Sequence, residues 1–231
     1  MADLMDGGAQ DGVAGGPAPA FGARKVLFVG TGAMGVMFMP MWVNWVRTAY
    51  PDIELRCVVT RSAERFVTRG AITAFAGAEV LRDVWSEEPE TGAPHVDLAH
   101  WADAVVVHPA TFHFVSRFAL GIADTPVLLA LQCTSAPIGI APALPPGGVT
   151  SPAYRRHVEA LEQRPNVVVV PPQPGFSVTT GRMDASVATP PPEVFRAVEE
   201  LRGRMSGAGG AGASPRGGAA AGVGSAQGGV V

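Results

Sequence analysis

The residues able to do chemistry in this chain are few: five histidines, two cysteines, one lysine among sixteen arginines, and one glycine-rich turn. The turn is VLFVGTGAMG, residues 26–35, where an apolar run meets glycines at 30, 32 and 35. Backbone N–H groups converging at the start of a helix hold a phosphate without a cationic side chain, so the stretch predicts an anion cradle but does not say whose phosphate it holds. Lys25 stands alone at a strand start, which argues against Schiff-base chemistry. Cys57 and Cys133 each lie within an apolar stretch and match neither a disulfide framework nor a zinc site, so both are expected in the core and no metal site is expected. Four of the histidines, His95, His100, His108 and His113, crowd into HVDLAHWADAVVVHPATFHF, residues 95–114; taken singly a histidine is more often a satisfied core or surface group than a catalytic one, and nothing in the residues alone lifts His100 or His108 above that.

The elements that must position these groups follow from the apolar pattern. KVLFVG, IELRCVVT, ADAVVVHPA, PIGIAPA and NVVVVPP are short apolar runs of strand type. Between them, AMGVMFMPMWVNWVRTAY has helical length with an interior Pro40 expected to kink it, and SAERFVTRGAITAFAG has helical spacing with Ser62 as the expected N-cap. SPAYRRHVEALEQRP is a capped amphipathic helix, while TPVLLALQCT fits strand or helix equally. Apolar strands separated by helices predict an α/β fold: one doubly wound parallel sheet, Rossmann-like or flavodoxin-like, with helices on both faces and ligands beyond the carboxyl ends of the strands. Residues 1–22 and 203–231 are rich in Gly and Ala with few large apolar side chains and are expected to be disordered tails around a folded domain, 23–202.

Composition excludes several classes. The net charge is −3 and the basic residues are scattered, so no nucleic-acid footprint is present. No secretory signal and no apolar run of membrane-spanning length is found, which predicts a cytoplasmic protein without a membrane partner. The turn satisfies the dinucleotide fingerprint, yet the second strand ends VVTRSAERF without the acidic residue that holds an adenosine ribose. Arg61 could receive a 2′-phosphate there, which keeps an NADP-dependent reductase open. Against it, two further strands and Pro-rich loops run on to residue 202, leaving no room for a helical substrate domain.

Taken in order, GTGAMG, VTRSAERFVTRGAITAFAG, VWSEEPETGAPHVDLAHWADAVVVHPAT, GIAD, APA and GRM resemble the homo-oligomeric flavin-containing cysteine decarboxylases over about residues 24–200. Within that group the sequence is most like the peptidyl-cysteine decarboxylases that tailor ribosomally made peptides. The resemblance implies that Gly30, Thr31, Gly32 and Ala33 cradle part of FMN, with Thr60, Ser62 and Phe66 beyond the second strand. Gly35 is expected to serve helix–strand packing instead. PATFHF, residues 109–114, stands where the family has a Pro-Ala-Ser-Ala-Asn-Thr turn, so Pro109, Ala110, Thr111 and His113 are placed against the flavin; Phe112, His113 and Phe114 depart from the pattern. His113 offers an imidazole where the family has an amide.

His95 matches the family's catalytic histidine, just before an L..WAD segment. Pro142, Ala143 and Leu144 fall on the family's substrate-binding Pro-Ala-Met-Asn segment, whose Asn is replaced by Pro145. PPQPGFSVTTGRMD, residues 171–184, corresponds to the substrate-covering flap, in which Arg182 and Met183 are implied substrate contacts and no cysteine occurs. The implied activity is FMN-dependent oxidative decarboxylation of a precursor peptide's C-terminal cysteine to an enethiol, by a homo-oligomer, a trimer or a dodecamer of trimers. A phosphopantothenoylcysteine decarboxylase, which needs a flap cysteine, and a non-catalytic flavin-binding regulator remain alternatives.

Overall fold

The computed structural model describes residues 17–88 and 92–210; most of each expected tail, 1–16 and 211–231, lies outside the described residues. Six parallel strands form one sheet: β1 Lys25–Gly30, β2 Glu54–Thr60, β3 Leu81–Asp83, β4 Ala104–Thr111, β5 Ile138–Ala143 and β6 Val167–Val169, in the order β3-β2-β1-β4-β5-β6. The doubly wound parallel sheet expected from the alternation of strands and helices is present. Its order reverses between β1 and β4, and the crevice beyond the carboxyl ends of those two strands is where such sheets bind ligands.

Burial on both sides explains the continuous apolar runs. Val26 and Phe28 of β1 face one helical layer, built from α1 Met39–Ala49, α2 Arg69–Ala76 and α7 Pro191–Gly210. Leu27 and Val29 face the other, built from α3 Pro94–Trp101, α4 Phe112–Ala119, α5 Pro126–Cys133 and α6 Pro152–Glu162. Close helix packing over the sheet falls at Gly139, where any Cβ would collide with Val198 of α7, and at Gly30, where it would meet Met39 Sδ at 2.7 Å.

Several expectations change. Pro40 does not kink a helix: it sits in the first turn of α1, where its missing N–H costs nothing, after a separate 3-10 turn at Met34–Phe38. Ser62 caps no helix; Ala63–Arg65 is a single 3-10 turn, and α2 begins seven residues later with the Thr68 hydroxyl accepting from Ala71 N at 3.1 Å. Residues 125–134 resolve as helix α5, with Pro126 in its first turn and the Thr125 side chain as cap. Cys57 is buried, but Cys133, at the end of α5, is exposed. Ordered contacts also extend beyond residues 23–202 at both ends. Phe21 packs against Phe195 and Tyr50, with ring centroids 4.7 and 5.7 Å apart, Gly22 N donates to Glu199 at 3.0 Å and the Tyr50 hydroxyl donates to Pro19 O at 2.8 Å, so the chain already packs against the fold before residue 23. Helix α7 continues past residue 202 to Gly210.

Between β6 and α7 the chain forms an antiparallel hairpin, β7 Gln173–Ser177 and β8 Arg182–Val187, in the segment expected as a flap. It joins the main sheet through a two-way bridge: Leu144 N donates to Ser186 O at 2.8 Å, and Ser186 N to Leu144 O at 3.2 Å. The Thr189 hydroxyl donates to Pro171 O at 2.6 Å and closes the hairpin's base.

Candidate active site

Two chambers open beyond the carboxyl ends of the strands, and they share Thr111 and His113. The first is a cleft of about 820 Å³. Gly32–Gly35 and Phe38 form one wall, Trp42, His108 and Pro109 the floor, Ala143–Pro146 the far side, and Phe176–Thr180 of the hairpin the cover. None of its lining residues is Asp, Glu, Lys or Arg. The second chamber, about 570 Å³, is polar: Thr31, Thr60, Ser62, Thr111 and Thr125 provide hydroxyls, and Arg61, Arg65 and Arg117 provide guanidinium groups.

The turn between the chambers is built by Thr31. Its backbone N–H and its hydroxyl both donate to Pro109 O, at 3.2 and 2.7 Å, and the hydroxyl accepts from Thr111 N at 2.8 Å. With only 1% exposure, Thr31 clamps the ends of β1 and β4 together at the switch point, and little of it is left to reach a ligand. Gly32 lies so close to Ser62 that a Cβ would overlap the serine side chain, whereas a Cβ on Gly35 would meet nothing within 4 Å. Gly35 therefore borders the open cleft; the expected packing role falls to Gly30. Residues 109–114 are not a free turn, because α4 begins at Phe112 with the Thr111 hydroxyl accepting from Phe114 N at 3.2 Å.

In the second chamber the Thr60 and Ser62 hydroxyls lie 3.1 Å apart. Arg117 pairs with Asp124, while Arg61 and Arg65 make no ion pair among the described residues. Asp83 also borders this chamber; burial raises its carboxyl above the usual range, against the opposing pull of Val127 N–H, the Thr125 hydroxyl and Arg117. In the cleft floor, His108 is almost wholly buried, stacked on Phe28 and edge-on to Trp42, each with centroids 6.3 Å apart. Its Nε2 lies 3.1 Å from Thr189 O, and since a carbonyl only accepts, Nε2 carries the proton. Burial depresses its pKa to about 4, partly offset by that hydrogen bond, so the ring is neutral at ordinary pH.

The expected site residues divide. Gly32, Ala33, Pro109, Thr111, His113, Ala143 and Leu144 line the cleft, and Thr31, Thr60 and Ser62 the second chamber. Gly30, Ala110 and Pro142 are buried beneath, Phe66 is exposed to one side, and Arg182 and Met183 point to solvent at the hairpin's outer end. His95, at the start of α3, lines neither chamber. It lies edge-on to Trp85 with centroids 5.5 Å apart, and its Nδ1 is the one buried side-chain polar atom without a hydrogen-bond partner among the described residues. The sequence reading missed Trp42, Arg65, Arg117 and the floor position of His108. Arg117 was findable, because it follows His113 by one helical turn once residues 112–119 are taken as helix.

The family model described as Flavoprotein matches residues 20–197. Cypemycin cysteine dehydrogenase (decarboxylating) from a Streptomyces species is 30% identical over 172 residues, covering 74% of this chain and 88% of that protein. The bifunctional coenzyme A biosynthesis protein CoaBC of Haemophilus influenzae is 29% identical over 150 residues, 65% of this chain but 37% of that protein. Among solved structures, the cypemycin decarboxylase CypD superposes with a TM-score of 0.68 at 27% identity, covering 81% of this chain and 98% of that one. TvaF, an FMN-dependent cysteine decarboxylase from thioviridamide biosynthesis, gives 0.63 at 29% identity over 79% of this chain and 99% of that one.

Proposed function

This chain belongs to the flavoprotein family, its residues 20–197 matching the family's model, and from that premise we propose that it is an FMN-dependent enzyme that oxidatively decarboxylates the C-terminal cysteine of a precursor peptide. The observation that carries the reading is the pairing of an apolar cleft with a cationic, hydroxyl-rich chamber across Thr111 and His113. The residues present fit FMN on both sides. Arg61 and Arg65, with the Thr60 and Ser62 hydroxyls, suit a phosphate dianion, and the slot between Trp42, Phe38 and Leu144 suits a planar ring system. The match of the Flavoprotein model to residues 20–197, nearly all of the folded part, supports the flavin reading over the reductase alternative.

Bound FMN supplies the two-electron acceptor for a hydride from the cysteine Cβ. With the thiol proton also gone, Cβ becomes a thioaldehyde carbon, and the carboxylate on Cα then stands β to a C=S electron sink. CO2 leaves, its bonding electrons pass to sulfur, and protonation gives the enethiol. The protein's own part is to hold the cysteine in a cleft that excludes water, under the hairpin, and to handle the thiol proton. We assign that proton to His95. Because His95 lines neither chamber of its own protomer, and its buried Nδ1 has no partner there, the reading requires a homo-oligomer in which His95 serves the cleft of a neighbouring copy. A trimer, or a dodecamer built of trimers, is the assembly that the family resemblance implies for it.

Two measurements test the proposal. The purified protein is expected to be yellow and to release FMN on denaturation. Mass spectrometry of a Cys-terminated peptide is expected to show loss of CO2 and two hydrogens. Loss of CO2 alone would mean that the electrons return to the product, and would favour phosphopantothenoylcysteine-type chemistry, although residues 171–184 contain no cysteine for that step.

A further inference from the structure

Among the described residues, Asp83 is the one carboxylate that lines the cationic chamber, and the proposed decarboxylation makes no use of it. It ends β3 opposite Thr60 of β2, at 4% exposure, and its Oδ1 accepts from Val127 N in the first turn of α5 at 2.9 Å. The Thr125 hydroxyl and Arg117 also face it. Most of the charges nearby are settled in pairs: Arg117 with Asp124, and Arg69 and Arg82 both with Glu64. That leaves Arg61 and Arg65 as cations and Asp83 as the anion of the chamber, a single net positive charge.

Resting on the reading that this chamber holds the FMN phosphate, we propose that Asp83 couples flavin loading to proton uptake, its carboxylate taking one proton from solvent when the phosphate dianion enters. The charge balance carries the inference. A dianion brought into a chamber of one net positive charge leaves it one charge negative, with two anionic groups in the same enclosed volume. A proton on Asp83 removes that excess. Burial sharpens the demand, because water screens a carboxylate at 4% exposure poorly, and desolvation by itself already holds this carboxyl above the usual range. His113 is the other titratable group of the lining, but it is exposed and stands at the mouth shared with the cleft, where solvent and salt screen it. The neutral carboxyl still accepts from Val127 N and gains an O–H to donate, where the carboxylate could only accept.

The test dilutes the FMN-loaded full chain and reads flavin release by fluorescence from pH 5 to 8.5, with riboflavin, which has no phosphate, as the comparison. Asp83→Asn keeps an acceptor for Val127 N without titrating, so its pH dependence reports only the remaining groups, the FMN phosphate among them. A like charge that raises a carboxyl by about one unit changes affinity by about tenfold across the window. The Asn protein is therefore expected to hold FMN about tenfold more tightly than the unsubstituted protein at pH 8.5, and the two to converge toward pH 5, while riboflavin affinity stays equal in both. A ratio of the two FMN affinities that does not change with pH would overturn the proposal. So would a pH dependence that survives in Asp83→Asn and vanishes in His113→Gln. The unsubstituted protein gives a second readout that needs no variant: FMN added at pH 5.5 is expected to bring up the infrared C=O stretch of a neutral carboxyl that moves on 13C labelling of aspartate, and a spectrum without it counts against Asp83. If FMN and riboflavin bind equally well at every pH, the chamber does not hold the phosphate, and the reading beneath the proposal fails together with it.

Discussion

The two chambers at the head of the sheet are neighbours with opposite chemistry, and the difference lies in what each can discriminate. The cleft is walled by aromatic, aliphatic and glycine surface and can select by shape and polarity alone. The second chamber sets Arg61 and Arg65 beside hydroxyls and can select by charge. Both hang from one short connection, Pro109–His113, held to β1 by Thr31. Binding and chemistry are thereby separable, and four experiments press on that separation.

The largest effect is expected at His95, which lines neither chamber. His95→Asn should lower peptide decarboxylation by roughly 10²- to 10⁴-fold while flavin content and assembly, read by absorbance and sedimentation, stay as they were. Loss of flavin together with turnover would show that His95 is part of a binding chamber after all.

Next comes the cleft floor. An unfolded His108 takes up its proton below about pH 6.5, whereas the folded one does so only near 4. Between those values the unfolded state binds more protons, so stability falls as the pH drops through the window and levels off below it. The cost is about 3 kcal/mol. His108→Gln keeps a donor for Thr189 O without titrating, and urea unfolding at pH 7, 5.5 and 4 should show that share of the acid sensitivity removed.

For the second chamber, Arg61→Ser/Arg65→Ser should weaken FMN binding by roughly ten- to a hundredfold and leave riboflavin affinity unchanged in fluorescence titrations. An equal loss for both flavins would make the arginines structural. The smallest effects belong to the glycines. Gly32→Ala should cost about 1–3 kcal/mol by crowding Ser62, and Gly35→Ala, facing open space, should stay within about 0.5 kcal/mol in the same denaturation assay.

Much of the fold was legible because parallel strands buried on both faces leave unbroken apolar runs, as in β1, β4, β5 and β6, while β2 keeps only the apolar stretch Cys57–Val59 behind its exposed Glu54 and Arg56. β3 was not, since its three residues, two of them exposed, carry no such run. The hairpin was hidden by a mostly exposed pattern without alternation and by Pro174 and Gly175 inside a strand. Within the site, the glycine turn announced itself, yet Gly30 packs beneath Val36 and Met39 while Gly35 borders the cleft, because spacing cannot say which glycine faces a helix and which a void. Trp42 and His108 were out of reach for a related reason: each joins the cleft only through the packing of α1 and of the segment around Thr189 against β4.

The hairpin enters and leaves the fold at adjacent points, Pro171 and Thr189, and among the described residues it touches the main sheet's hydrogen-bond ladder only at Leu144–Ser186. A segment attached in this way is an exchangeable cassette. Transplanting residues 172–188 from a relative should leave the six-stranded sheet to fold by itself while replacing the cover of the cleft, so the cleft's selectivity can change without rebuilding the strands beneath it.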